Sequence, residues 1–253
     1  MKDHREGVAG TELAAAIGCA FRTGEPSPAD ISSRPPHRSS HRLARESPVT
    51  TRRYTTLASL LTAVRGCRAC ERHLPLGPRP VLQAGATAGI LVVGQAPGAR
   101  VHASGVPWDD ASGERLRAWM GIDKHAFYDE SHVAIIPMGY CYPGRGSGGD
   151  LPPRRECAEL WLDLLLAKLQ RIELTLLIGW HAQRHFLGSR CKRTLAETVT
   201  AWREYAPRYF PMPHPSPRNQ AWLMRNAWFE RRVIPALRER VAPLASRRAE
   251  TGP

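Results

Sequence analysis

Four short apolar runs punctuate the chain: GILVVGQAP (89–97), HVAIIPM (132–138), LTLLIGW (174–180) and RYFPMPHP (208–215). The first three are continuous rather than alternating, as in strands covered on both faces, and the fourth reads as a shorter strand. Between them, apolar residues recur at helical spacing. TTLASLLTAVRGCRAC precedes the first run and SGERLRAWMG follows it; PPRRECAELWLDLLLAKLQ leads into the third. HAQRHFLG and LAETVTAWREYA lead into the fourth, and AWLMRNAWFERRVIPALRERV closes the series. Strand alternating with helix predicts an α/β, three-layer sandwich, with a central four-stranded parallel sheet and helices on both faces. The pattern delimits a domain at 54–241. Residues 1–53, rich in Arg, Ser and Pro, are expected to form a disordered basic arm, and 242–253 a disordered polar tail.

In such a sheet ligands bind beyond the carboxyl ends of the strands, which singles out the loops GQAPG, PMGYCYPG, GWHAQ and PHPSPRN. In the last of these, three prolines alternate with His214 and Ser216. Each ring fixes its own φ and biases the preceding residue towards extended backbone, a stiffness suited to presenting one side chain.

Composition narrows the partner. A formal net charge of +13, from 36 Lys plus Arg against 23 acidic residues, favours a phosphate-rich ligand such as nucleic acid. No apolar run has membrane-spanning length and the N-terminus lacks a secretory pattern, so a soluble, cytoplasmic monomer with no membrane partner is expected.

The cysteines, at 19, 67, 70, 141, 157 and 191, are too few and too spread for a disulfide scaffold. CRAC places Cys67 and Cys70 one helical turn apart. Cys141 and Cys157 flank a Gly- and Pro-rich excursion able to fold back on itself, with Cys157 on the first turns of the helix that follows. Four thiols without a competing His or carboxylate suit an iron-sulfur cluster or tetrahedral zinc; unligated thiols are the third alternative.

Four features coincide in order: CRAC, GQAPGARVHASGVPWDDASG, Cys141 with Cys157, and HPSPRN after the last strand. Together they resemble the uracil-DNA glycosylase superfamily, specifically its iron-sulfur branch, over roughly residues 55–240. The resemblance implies a 4Fe-4S cluster on Cys67, Cys70, Cys141 and Cys157, with zinc as the alternative. It also implies a repair glycosylase acting on DNA that carries a damaged or deaminated base. His214 becomes the donor to the base oxygen where negative charge develops, and Trp108 the aromatic that stacks on the flipped base. Backbone amides of Gln95 and Ala96 line the pocket, with Gly94 and Gly98 allowing close approach. Ser112 caps the helix SGERLRAWMG, and Ser216, Arg218 and Asn219 meet the DNA backbone. The imidazole and the indole of Trp108 are expected to face each other across a gap one nucleobase wide.

Two positions depart from the resemblance. Ala96 stands where the best-known members place a water-activating aspartate, leaving Asp109, Asp110 and His102 as candidates. Pro137 stands where uracil-selective members carry an asparagine, so the lesion is open. These departures keep a second class in view, a DNA- or nucleotide-binding protein without catalysis. A nucleotide-binding protein unrelated to DNA is a third.

Overall fold

The computed structural model describes residues 54–247. The basic arm, Cys19 and the last six residues lie outside the described residues. The chain enters on helix α1 (Leu57–Arg65), opened by a capping box in which Thr56 accepts from the Ser59 amide. Strand β1 (Ile90–Val93) is followed by α2 (Ala99–Ser104), α3 (Ala111–Met120) and α4 (Lys124–Tyr128). Next come β2 (Val133–Ile135) and a two-stranded hairpin, β3 (Arg145–Gly146) with β4 (Gly149–Asp150), which the apolar pattern did not predict. Helix α5 covers 155–168 with a π-helical middle at Ala158–Leu162. Strand β5 (Leu174–Ile178) precedes α6 (Trp180–Leu187) and α7 (Leu195–Thr200). Strand β6 (Tyr209–Met212), α8 (Gln220–Arg225) and a final helix, α9, over 229–245 complete the domain.

The sheet order is β2-β1-β5-β6 and every pairing is parallel, as expected from the strand-helix alternation. Side chains alternate along a strand, so each strand serves two cores. Ile90, Val92, Val133, Ile135, Leu174, Leu176 and Phe210 face the core closed by α3, α8 and α9. Leu91, Val93, Ala134 and Leu177 face the core closed by α1, α5 and α6. This two-sided demand is why the strands read as continuous apolar runs. The outer edge of β2 is closed by Gln83. Its amide donates to Ile135, its carbonyl accepts from Ile135, and its side-chain amide donates to the Val133 carbonyl, which blunts an otherwise open ladder.

Two expectations are corrected. Helix α1 stops at Arg65 with Gly66 as its C-cap, so CRAC is a turn after the helix rather than part of it. The polar tail does not begin at 242: α9 runs on to Ala245, and Leu244 is buried beside Val241 in the core. Apolar residues at helical spacing outlast the Arg-rich composition there, and burial of that stripe carries the helix four residues past 241. Among the described residues no helix is long and apolar enough to cross a membrane.

Candidate active site

Beyond the carboxyl ends of β1, β2 and β6 lies a cavity of about 400 Å³, within the usual range for small-ligand sites; the GWHAQ loop after β5 does not line it. Its wall includes Gly94, Gln95, Ala96 and Gly98 from the loop after β1, Trp108 and Asp110 from the approach to α3, and His214 and Ser216 after β6. Arg145 and Asp150 from the hairpin complete it, with Arg100 and Arg218 alongside.

His214 leaves β6 between prolines, and three contacts immobilise its loop. The Ser216 backbone amide donates to Nδ1 of His214 (3.1 Å). The Asn219 side chain donates to the His214 carbonyl (2.8 Å), and Arg115 of α3 donates to the Ser216 carbonyl (3.3 Å). An Nδ1 that accepts leaves the proton on Nε2, so the hydrogen bond selects the neutral tautomer whose free nitrogen is a donor. Burial acts in the same direction and lowers the imidazole pKa, against a smaller opposing pull from Asp110 and Asp150.

Trp108 is the one non-glycine residue with positive φ among the described residues, at 58°. A bulky side chain adopts that conformation only where its surroundings over-determine it. Here the Tyr128 hydroxyl donates to the Pro107 carbonyl (2.9 Å) and Arg117 to the Trp108 carbonyl (3.3 Å). Two glycines supply the room. A Cβ on Gly94 would lie 2.8 Å from the Trp108 ring, and one on Gly113 would lie 1.7 Å from the Trp108 carbonyl oxygen. Gly94 therefore accommodates the indole itself. The expected gap between the rings is corrected: the indole and the His214 imidazole have centroids 5.5 Å apart at a 33° tilt. A base interleaved between two rings needs roughly 7 Å, twice the ~3.4 Å rise of stacked bases. A bound base must therefore lie against one face of Trp108 and present an edge, rather than a face, to His214.

The remaining candidates divide. Ser112 lines the cavity but does not cap α3; the cap is Asp110, whose Oδ1 accepts from the Gly113 amide (2.9 Å). An aspartate outranks a serine two positions later because it reaches the free amides of the first turn from outside the helix. Asp109 is off the cavity wall, half-buried and 3.9 Å from Lys124. His102 is also off the wall; it sits on α2 with its ring 6.2 Å from Tyr142 and its Nδ1 buried without a partner. Asn219 holds the loop rather than the cavity. Arg145 and Asp150 were missed, because a two-residue hairpin in a Gly-rich excursion has no apolar periodicity to betray it. The only signal was the turn-forming GSGG between a basic and an acidic residue.

The four thiols of Cys67, Cys70, Cys141 and Cys157 lie within electrostatic range of one another, the last two at the ends of that excursion. Each of the last three is buried, and all four belong to one electrostatic neighbourhood. Burial pushes the Cys141 thiol up to about 11 and that of Cys157 up to about 12. Three of the sulfurs accept N–H bonds: Cys67 from the Trp161 indole (3.3 Å), Cys141 from the Arg79 amide and Cys157 from the Tyr140 amide. The Tyr140 hydroxyl is buried beside them without a partner. Among the described residues no three His, Cys, Asp or Glu side chains are arranged to hold a single metal ion. Cys191 stands apart, half-buried.

Residues 83–238, more than half of the chain, match the family model described as the Uracil DNA glycosylase superfamily. The match takes in every cavity residue but Val81, together with Cys141 and Cys157, and begins after Cys67 and Cys70.

The glycine beneath Trp108 can be tested directly. Gly113→Ala forces a methyl into a backbone carbonyl, and should cost at least the roughly 3 kcal/mol upper range of ordinary overpacking. Gly148→Ala, which meets nothing within 4 Å, should leave the denaturant midpoint almost unchanged.

Proposed function

This chain belongs to the uracil DNA glycosylase superfamily, and from that premise we propose that it hydrolyses the N-glycosidic bond of uracil or a related deaminated base in DNA. The observation that carries the reading is the Nε2–H donor that the Ser216 amide selects on His214 at the cavity wall. As the bond to C1′ breaks, the sugar becomes oxocarbenium-like and the leaving pyrimidine becomes an anion. A pre-aimed neutral donor stabilises that anion without giving up its proton in advance, and no solvent reorganisation is required. Trp108 offers a stacking face to the flipped base. Arg100, Arg145 and Arg218 offer guanidinium groups at the cavity to the flanking phosphates.

The placement of the chain in the iron-sulfur branch rests on the thiols. Four cysteines, three sulfurs already accepting N–H bonds, and an unpartnered Tyr140 hydroxyl suit a cluster better than a lone ion, and the one carboxylate near Cys70, that of Glu156, is already paired with Arg154. Cys67, Cys70, Cys141 and Cys157 would hold a 4Fe-4S cluster, whose contribution is structural: it ties the turn after α1 to both ends of the hairpin excursion. Glycosidic hydrolysis moves no electrons, so the reaction itself is the work of the cavity residues.

One feature favours a second reading, a superfamily member that binds DNA without catalysis. Ala96 and Pro137 both line the cavity and bring neither a carboxylate nor a side-chain donor to it. Uracil-containing single- and double-stranded oligonucleotides, followed by alkaline cleavage at abasic sites, decide between the two. Strand scission is expected. Salt-dependent affinity with no scission on any of a panel of lesions selects the binder.

His214→Ala should slow base release by about 100- to 1,000-fold, in the range seen for loss of one oxyanion donor, and leave DNA affinity nearly intact. The pH profile should carry the sign of the lowered imidazole pKa. Because the active form is neutral, the rate should hold as pH falls through 6.5, the ordinary histidine value, and decline only below it. Over the same interval the unfolded chain binds the proton first, so His214 contributes a loss of stability as pH falls below 6.5. Metal analysis of the purified protein should find iron and acid-labile sulfide near four each per chain; one zinc per chain would remove the basis for the branch assignment.

A further inference from the structure

With Ala96 silent and Asp109 and His102 off the wall, two carboxylates line the cavity, those of Asp110 and Asp150. Asp110 already has Oδ1 committed to the Gly113 amide at the start of α3. Asp150 has no hydrogen bond or ion pair to its carboxylate among the described residues. Its Oδ2 lies 3.4 Å from the position a Cβ on Gly98 would occupy, over the end of the GQAPG loop and two residues on from Ala96. Asp150, exposed at the hairpin end, and His214 line the same cavity within electrostatic range of each other.

The hairpin holds Asp150 there by backbone contacts. Asp150 pairs with Arg145 across the two-residue ladder, and the Leu151 amide donates to the Gly144 carbonyl (2.9 Å). The Gln95 side chain then reaches over from the loop after β1 and donates to the Leu151 carbonyl (2.9 Å), fastening the hairpin to the loop that forms the cavity floor. Gln95 also receives the Gly139 amide on its own carbonyl (2.9 Å), so one residue ties both ends of the approach to the excursion.

Resting on the glycosylase reading, the geometry points to Asp150, presented by the hairpin between Cys141 and Cys157, as the carboxylate that activates and orients the attacking water. In the balanced step the N–C1′ bond breaks with its electron pair going to the base. The water oxygen bonds to C1′, and the proton it loses goes to the Asp150 carboxylate. Solvent then returns a proton to the departed base anion and removes one from Asp150, so base release consumes one water and the enzyme is regenerated. A carboxylate that arrives from another loop explains how GQAPG can carry alanine in place of an acid. Asp150 supplies from above what the side chain at position 96 does not.

Single-turnover base release by the full-length protein from a uracil-containing oligonucleotide, with DNA affinity by anisotropy and melting temperature measured in parallel, tests this. Asp150→Asn should slow release by at least about 100-fold, the lower range for loss of a general base, while affinity stays within about threefold and the melting temperature is kept. Asp150→Ser should behave alike, and Ala96→Asp placed in the Asp150→Asn background should recover at least about tenfold. Release by Asp150→Asn within about twofold of the parent overturns the assignment. So does a loss in affinity equal to the loss in rate, or the absence of any gain from Ala96→Asp, since each of these makes the hairpin a DNA contact or a support. A parent protein that releases no base at all overturns the glycosylase reading itself, an outcome distinct from an active parent with an equally active Asp150→Asn.

Discussion

Parallel pairing of β1 with β5 at the centre of the sheet is the constraint from which the rest follows. Because β2, β1, β5 and β6 all run the same way, their carboxyl ends emerge on one edge. The loops after β1 and β6, far apart in sequence, therefore meet over one cavity. The pairing needs helices on both faces to return the chain to the starting edge, and those helices close the two cores that hold the strands in register. Were β6 to run antiparallel to β1, His214 would emerge at the opposite end from Trp108.

On that frame the site is made stiff by mutually dependent contacts. Trp108 occupies a left-handed backbone conformation that only its neighbours sustain, and its ring fills the space left by Gly94 while its carbonyl fills the space left by Gly113. The imidazole packs against that ring, and its own backbone is held by Asn219 and, through Ser216, by Arg115. Rigidity of this kind is what a reaction driven by aimed dipoles requires, since displacement of a donor by about 1 Å can cost on the order of 100-fold in rate. The conformational strain at Trp108 lies next to the reacting groups and is balanced by packing and hydrogen bonds around it.

The excursion between Cys141 and Cys157 joins two regions that would otherwise be independent. Its ends carry thiols that face Cys67 and Cys70, and its tip carries Arg145 and Asp150 into the cavity. A cluster on the four sulfurs, as proposed, would also set the height of the hairpin over the GQAPG loop. Gln95 makes the same connection from the other side.

Several of these features were legible along the chain. Continuous apolar runs separated by helical spacing carried the four strands and their parallel order, because burial on both faces leaves no polar alternation to confuse the reading. The prolines around His214 announced a stiff loop, and the placement of Cys157 at a helix start followed from the same periodicity. Tertiary packing alone decided the rest. It ended α1 before CRAC, carried α9 past residue 242 to bury Leu244, and gave the α3 cap to Asp110 instead of Ser112. It also brought the ring centroids to 5.5 Å and placed Asp110 and Asp150, rather than Asp109 or His102, on the cavity wall. The physical reason is common to these cases. Periodicity records which face of an element is buried, a local property, whereas the side chains that share a cavity depend on how separate loops fold back in three dimensions. A short glycine-rich hairpin has no buried face to record.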